Sequence, residues 1–349
     1  MNKELQKYTL DKNSTIIDAL RKIDGCVDDG VFTVFVIDDD CRVIGSLTDG
    51  DIRRALIGGA SVNDNVSGVM CRDFHYLSNI DDYDQVKKFK SSDIKLVPLV
   101  SEDMKVINFI NLKNIRAILP LDVVIMAGGK GIRLKPYTDN VPKPMLDLNG
   151  KPMIAHNIDR LMKYGVKNFY ISVNHMKECI REYLDNRYPH VNIRYIEEDK
   201  PLGTVGSVKL VKDFAHGDIL VMNADILTNI NFDDFYGYYK KVEADMLIAT
   251  FNTKTDIPYA VLEVNNHRVE SFVEKPTYAY HSSAGIYLIN AKYIDLIPNN
   301  EFFDVTDFIK SMLEKNKHVG YFPIMGYWLD IGSAQNYNKA REDVRYVRF

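Results

Sequence analysis

The sequence predicts an α/β protein in two parts: a duplicated α+β unit over residues 1–118, then a larger domain on a mostly parallel sheet over 121–349. Three observations carry this reading. Residues 36–54 and 99–117 align without a gap. Beyond Leu121, strand-like and helix-like stretches alternate, the pattern of a mostly parallel sheet covered on both faces. The first of those strands runs into Gly128-Gly129-Lys130-Gly131.

Composition bounds the rest. The 349 residues carry 44 basic and 48 acidic side chains, a net charge of −4, so no global basic surface recommends nucleic acid. An apolar share of 46% and a charged share of 26% are ordinary for globular domains. No run approaches the ~20 apolar residues that span a bilayer. The start, Met1-Asn2-Lys3-Glu4-Leu5, lacks the apolar core of a signal peptide. The four cysteines form no CxxC pair, which argues against a zinc ribbon or disulfide scaffold and suits the cytoplasm.

In the duplicated part, Val36-Ile37 aligns with Leu99-Val100, Arg42-Val43-Ile44 with Lys105-Val106-Ile107, and Ile52-Arg53 with Ile115-Arg116. Each copy (about 1–62 and 63–118) reads as a helix, a strand, an acidic turn, a strand and a helix. The leading helices lie at 16–23 and 83–89. Units this small bury too little surface alone, so the two should pack together. This unit resembles a CBS domain, and the tandem resembles a CBS pair. The resemblance implies a possible adenine nucleotide site at Thr48 and Asp51, in Gly45-Ser46-Leu47-Thr48-Asp49-Gly50-Asp51. Helix N-terminal amides and a hydroxyl suit phosphate, and a carboxylate suits ribose hydroxyls. The same two residues also make a good helix N-cap. Asn111 and Asn114 stand at the equivalent positions in the second copy, so that site is degenerate.

Pro120 closes the repeat, since it cannot continue a helix. Candidate strands then lie at 122–127, 168–173, 192–196, 218–223, 245–250, 259–264, 284–289 and 319–322. Candidate helices lie at 153–164, 176–187, 204–213, 232–241, 304–316 and 333–344. The glycines after the first strand let backbone amides approach a phosphate closely. Leu134 stands where a dinucleotide-binding G-x-G-x-x-G needs glycine, and no Gly-Lys-Ser/Thr follows, so neither standard phosphate motif fits. Charge strengthens the loop: Lys130, Arg133, Lys135, Lys143 and Lys151 face only Asp139 and Asp147 between Gly128 and Lys151. Pro142 and Pro144 flank Lys143 and restrict its backbone, so its ammonium can be aimed at one point.

From Met126 to Pro144 the chain resembles sugar-1-phosphate nucleotidyltransferases, with Ile132 replacing the usual Thr. Further motifs follow in that family's order: Lys200-Pro201-Leu202-Gly203-Thr204-Val205-Gly206, Asn223-Ala224-Asp225, Glu274-Lys275-Pro276, Ser283-Ala284-Gly285-Ile286-Tyr287 and Trp328-Leu329-Asp330-Ile331-Gly332. The resemblance implies a Rossmann-like domain and the reaction of a nucleoside triphosphate with a sugar 1-phosphate to give a nucleotide sugar and pyrophosphate. It makes Arg133 and Lys143 catalytic. Nucleotide binding falls to Ala127, Gly128, Gly129, Lys130, Gly131, Gly203 and Thr204. Sugar-phosphate binding falls to Glu274, Lys275 and Gly285, and a Mg²⁺ site to Asp225 and Asp330. Each has a plainer reading: Asp225 as a turn residue, Glu274 and Lys275 as a surface ion pair, Asp330 as a helix cap.

A CBS pair ahead of such a domain resembles the glucosamine-1-phosphate guanylyltransferase branch of legionaminic acid synthesis. That implies GTP and glucosamine 1-phosphate, with mannose- and heptose-1-phosphate guanylyltransferases, or another nucleotide, as alternatives. A nucleotide sensor with an inactive transferase domain is the alternative of a different class. Partners are the two substrates and a homo-oligomer through the CBS pair, with no nucleic acid and no membrane.

Overall fold

The structure, a computed structural model, describes residues 3–347. The chain divides into two compact units, one ending at Pro120 and including Lys163–Gly165, the other comprising the rest from Leu121 onward.

The first unit begins with α1 (Lys3–Lys7), β1 (Thr9–Asp11) and α2 (Ile16–Asp24), followed by β2 (Thr33–Ile37), β3 (Val43–Thr48) and α3 (Asp49–Ile57). β1 runs parallel to β2, and β2 antiparallel to β3. The second copy supplies α4 (Tyr83–Ser91), β4 (Leu96–Val100) and β5 (Val106–Asn111), with β4 and β5 antiparallel. The copies pack on each other as expected. Phe35 and Val43 of the first share a buried cluster with Leu96 and Val100 of the second, and Phe35 stacks on Phe109 at 5.3 Å. The helix expected after β5 is absent. Asn111 turns the chain instead, its side chain accepting from the Lys113 amide at 3.0 Å. Such local bonding competes with helix formation.

The second unit is built on a seven-stranded sheet. Its elements in chain order are β6 (Asp122–Met126), α5 (Met153–Met162), β7 (Asn168–Val173), α6 (Lys177–Arg187), β8 (Asn192–Glu197), β9 (Asp218–Asn223), β10 (Ile226–Thr228), α7 (Phe232–Lys241) and β11 (Met246–Asp256). There follow β12 (Val261–Asn265), β13 (Arg268–Val273), β14 (Thr277–Asn290), α8 (Val305–Glu314), β15 (Val319–Pro323), β16 (Trp328–Asp330) and α9 (Ala334–Asp343). The sheet order is β15-β11-β14-β9-β6-β7-β8, parallel except where β14 lies antiparallel to both neighbours. β6 and β9 are almost wholly buried, as central parallel strands should be.

In this second unit the sequence-based assignment differs in three places. Residues 204–213 form only a 3-10 turn, Gly206–Leu210. Val205 and Val208 do bury, but Gly203 takes φ +81°, and a side chain there would strike the Phe303 carbonyl at 2.7 Å. β11 and β14 run past the sheet to residues 256 and 277, and β12 and β13 form a separate hairpin between them. The three-residue β10 and β16 pair with each other outside the main sheet.

Candidate active site

A cavity of about 600 Å³ opens at the carboxyl ends of β6, β7, β8 and β9. This is where open α/β sheets bind ligands. Met126 through Leu134 form one wall, Asn174 and Glu198 lie at the ends of β7 and β8, and Asn223, Ala224 and Asp225 follow β9.

The glycine loop is shaped by its packing. Gly131 takes φ +63°, and the Thr138 hydroxyl donates to its carbonyl at 2.9 Å. A side chain at Gly131 would meet Lys143 and Thr138 at 3.0 Å, whereas one at Gly129 would meet nothing within 4 Å. Gly129 therefore leaves room for a ligand against the backbone. Lys143 begins a 3-10 turn, Lys143–Met145, closed when the Met145 amide donates to the Pro142 carbonyl at 2.8 Å. That turn aims the Lys143 ammonium onto the Asp225 carboxylate. The pair is only 12% and 23% exposed.

Asp225 and Asp330 meet although they are far apart in sequence. The Ile226–Thr228 strand pairs with Trp328–Asp330, so Ile226 opposes Asp330, and the Ile331 amide donates to the Asp225 carbonyl at 3.0 Å. Trp328 anchors the second strand by stacking on Phe251 at 3.8 Å and donating its indole N–H to the Ala284 carbonyl at 2.9 Å. Burial first, and then the Asp225 charge, push the Asp330 carboxyl above its ordinary range, while Lys143 and Arg133 pull it back. Its Oδ1 is buried and has no hydrogen-bond partner. Ser333, not Asp330, caps α9. Two carboxylates in mutual repulsion, one with an orphaned oxygen, fit a small hard cation completed by substrate oxygens. Among the described residues, no group of three or more His, Cys, Asp or Glu side chains could hold a metal on its own.

The cavity thus gathers Ala127, Gly128, Gly129, Lys130, Gly131, Arg133, Lys143, Gly203, Thr204 and Asp225. The Thr204 hydroxyl is committed to the start of α8: it meets Asp304 at 3.2 Å and accepts from the Val305 amide at 2.7 Å. Gly285, at φ +72°, packs against the Asn223 side chain behind the cavity. Glu274 and Lys275 do not line it; they lie exposed beyond the β12–β13 hairpin. They are not ion-paired to each other, and neither side chain has a partner among the described residues.

Sequence reasoning missed Asn174 and Glu198. The Glu198 carboxylate accepts from the Ser172 hydroxyl and, at 3.0 Å, from the Leu202 amide. The Asn174 side-chain amide donates to the Glu198 backbone carbonyl at 2.7 Å. Each residue directly follows a parallel strand, which is the signal that could have found them.

In the first unit, Thr48 and Asp51 make a reciprocal helix cap. The Thr48 hydroxyl accepts from the Asp51 amide at 3.1 Å, and the Asp51 carboxylate accepts from the Thr48 amide at 2.9 Å. A second cavity of about 600 Å³ lies beside that cap, lined by Thr48, Asp49, Phe35, Ser46, His75 and Lys95 among others.

Comparison with known proteins agrees with this fold. Residues 122–346 match the family model for nucleotidyl transferase, and residues 1–58 match the model for the CBS domain. A mannose-1-phosphate guanyltransferase from Yarrowia lipolytica is 30% identical over 224 residues, covering 61% of this chain and 61% of the relative. A bifunctional protein GlmU from Methanococcus maripaludis is 31% identical over 222 residues, covering 61% of this chain and 51% of the relative. The chain therefore spans about three fifths or less of these curated relatives. The crystal structure of HddC from Yersinia pseudotuberculosis complexed with GMP-PN matches with a TM-score of 0.51 at 28% identity, covering 64% of this chain and 99% of that one. The family match spans well over half of the sequence and every strand that builds the candidate cavity: the chain belongs to the nucleotidyl transferase family and carries a CBS domain at its N-terminus.

Proposed function

We propose that this chain transfers a guanylyl group from GTP to a sugar 1-phosphate, releasing pyrophosphate. The observation that carries the reading is the meeting of Lys143, Asp225 and the orphaned Asp330 oxygen beside the glycine loop. A sugar phosphate oxygen attacks the α-phosphorus in line, and the bond from that phosphorus to the bridging oxygen of pyrophosphate breaks. The phosphate monoester is itself the nucleophile, so the protein positions groups and neutralises charge. The amides of 128–131 hold the triphosphate, Arg133 offsets charge on the leaving pyrophosphate, and Lys143 releases Asp225 to bind the attacking and α-phosphates. Asp225 and Asp330 would hold Mg²⁺, which supplies positive charge at the phosphates when bound.

GTP is supported by the guanyltransferase names among the relatives and by the guanine nucleotide analogue held by HddC. Glu198 adds a physical reason, since its carboxylate offers acceptor oxygens to the hydrogen-bond donors on guanine's pairing edge. Glu198→Gln is therefore expected to lower GTP turnover about 10-fold or more against that with ATP or UTP, measured as kcat/KM for each nucleotide. The relatives support mannose 1-phosphate, and the domain arrangement supports glucosamine 1-phosphate for a surface-glycan precursor; heptose 1-phosphate is a third candidate. Glycine loop, cations and both acids persist together, which favours an enzyme over a nucleotide sensor with an inactive transferase domain.

At the N-terminal cavity we propose an adenine nucleotide, held by the amides at the start of α3 and by Thr48, with Asp51 positioning Thr48. Calorimetry on the full chain should give saturable heat with AMP, ADP or ATP, lost in Thr48→Val; no heat at millimolar ligand would leave the cavity structural. For the main reaction, pyrophosphate release is measured over five nucleoside triphosphates and glucosamine, mannose and heptose 1-phosphates. GTP with one of these sugars should dominate, and no release from any pair would refute the reading.

A further inference from the structure

The candidate cavity carries an aromatic ring that the transfer step does not use. Phe302 lines it and is 61% exposed, and among the described residues no other ring stacks on it. The next residue, Phe303, packs against the core cluster of Val205, Val208, Val305 and Phe308. Two adjacent rings thus have different destinations, one in the core and one in the cavity.

The segment that carries them is clamped to the loop bearing Gly203 and Thr204. The Phe303 amide donates to the Leu202 carbonyl at 2.9 Å, and the Gly206 amide donates to the Phe303 carbonyl at 3.1 Å. The Thr204 amide donates to the Asp304 carboxylate at 3.0 Å. A ring on a backbone fixed in this way loses little freedom when a ligand covers it. The same clamp ties Phe302 to Glu198. The Glu198 carboxylate accepts from the Leu202 amide at 3.0 Å, so Leu202 alone bridges that carboxylate to the segment bearing the ring. On the far side, a side chain at Gly128 would come within 3.2 Å of the Glu198 carboxylate, so the glycine keeps the approach to it open. This end of the cavity therefore offers hydrogen-bond acceptors and an apolar face in one rigid frame. Phosphates have no use for an apolar ring. A planar base uses both features, because its edge forms hydrogen bonds and its face stacks on aromatic side chains.

We propose that Phe302 stacks on the base of the bound nucleoside triphosphate and sets nucleotide affinity, while Glu198 reads the edge of that base. The inference rests on the transferase reading, since only a nucleotide in this cavity brings a base to the ring. Every base has a π face, so the ring adds affinity without choosing among bases. Selection and affinity are then divided between two residues.

The test is calorimetry on the full-length protein with Mg²⁺ and, in turn, GTP, ATP, UTP and tripolyphosphate. Wild type is compared with Phe302→Ala and Phe302→Trp, with circular dichroism as the folding control. Phe302→Ala is expected to weaken GTP about 10-fold or more, the range of base–aromatic stacking. It should weaken any other triphosphate that binds by a similar factor, and leave tripolyphosphate, which has no base, unchanged. Phe302→Trp should bind GTP at least as well as wild type. An alanine variant that binds GTP like wild type would overturn the proposal. So would an equal loss of tripolyphosphate, which would make the ring a mere support of the loop. A defect confined to the KM of the sugar 1-phosphate would also overturn it, by placing the ring against the sugar. Wild type is the reference: binding there with no change in Phe302→Ala rejects the stacking alone, whereas a wild type that binds no triphosphate rejects the transferase reading itself.

Discussion

Lys143→Ala is expected to leave the fold intact and to lower turnover about 100-fold or more. The side chain is held in a two-proline turn on the Asp225 carboxylate, only 12% exposed, and it packs no core cluster. In the absence of substrate, its loss leaves the negative charges of Asp225 and Asp330 facing each other. In the complex, its loss removes a cation aimed at the reacting phosphates. The defect should fall mainly on kcat, because charge at the α-phosphate grows toward the transition state. Steady-state pyrophosphate release, with circular dichroism as the folding control, measures it. Near wild-type turnover would remove Lys143 from the reaction.

Asp330→Asn is expected to move stability and activity in opposite directions. The Asp330 carboxyl is pushed up by burial and by Asp225, so the folded chain keeps a proton that the unfolded chain releases. Stability from this group is therefore lost as pH rises from the ordinary aspartate value through the raised one. The amide variant carries no charge and can donate to Asp225. The metal-free variant should gain on the order of 1 kcal/mol at pH 8, ~2–4 °C in Tm for a domain of this size. The gain should shrink toward about pH 4, as the wild-type carboxyl takes up its proton on the way down through its raised pKa. Turnover should nonetheless fall about 100-fold or more, as for other lost charge-stabilising groups. Adding Mg²⁺ should raise the Tm of wild type and leave that of the variant unchanged. Thermal melts at the two pH values, with and without Mg²⁺, check each part. A variant that melts earlier at pH 8 and still responds to Mg²⁺ would overturn the metal assignment.

What the sequence showed of the site follows from how local each signal is. The glycine loop and Lys143 are read from one short stretch, because glycine, proline and charge act on the backbone where they stand. The meeting of Asp225 with Asp330 depends on Ile226–Thr228 pairing with Trp328–Asp330. Strands of three residues carry no periodicity to read. Glu198 belongs to no motif, and only its place one residue past β8 marks it. Over 204–213, where a helix was expected, Val205, Val208 and Val211 follow a threefold spacing that a 3-10 turn accommodates as well as a helix. In the duplicated unit, alignment carried a helix onto the second copy where Asn111 and Asn114 replace the cap that starts α3. The β12–β13 hairpin was read only in part, as the candidate strand 259–264, for a different reason. Alternation of apolar and polar residues marks a strand face, but nothing in it says that no partner from the same chain will cover that face.

The most direct test is phosphorus NMR of the wild-type protein with GTP, Mg²⁺ and one sugar 1-phosphate at a time. With the correct sugar, the GTP resonances should give way to equal amounts of pyrophosphate and a nucleotide-sugar diphosphate, and added pyrophosphate should drive the reaction back. Unchanged GTP with every sugar, or its conversion to GDP and inorganic phosphate, would contradict guanylyl transfer.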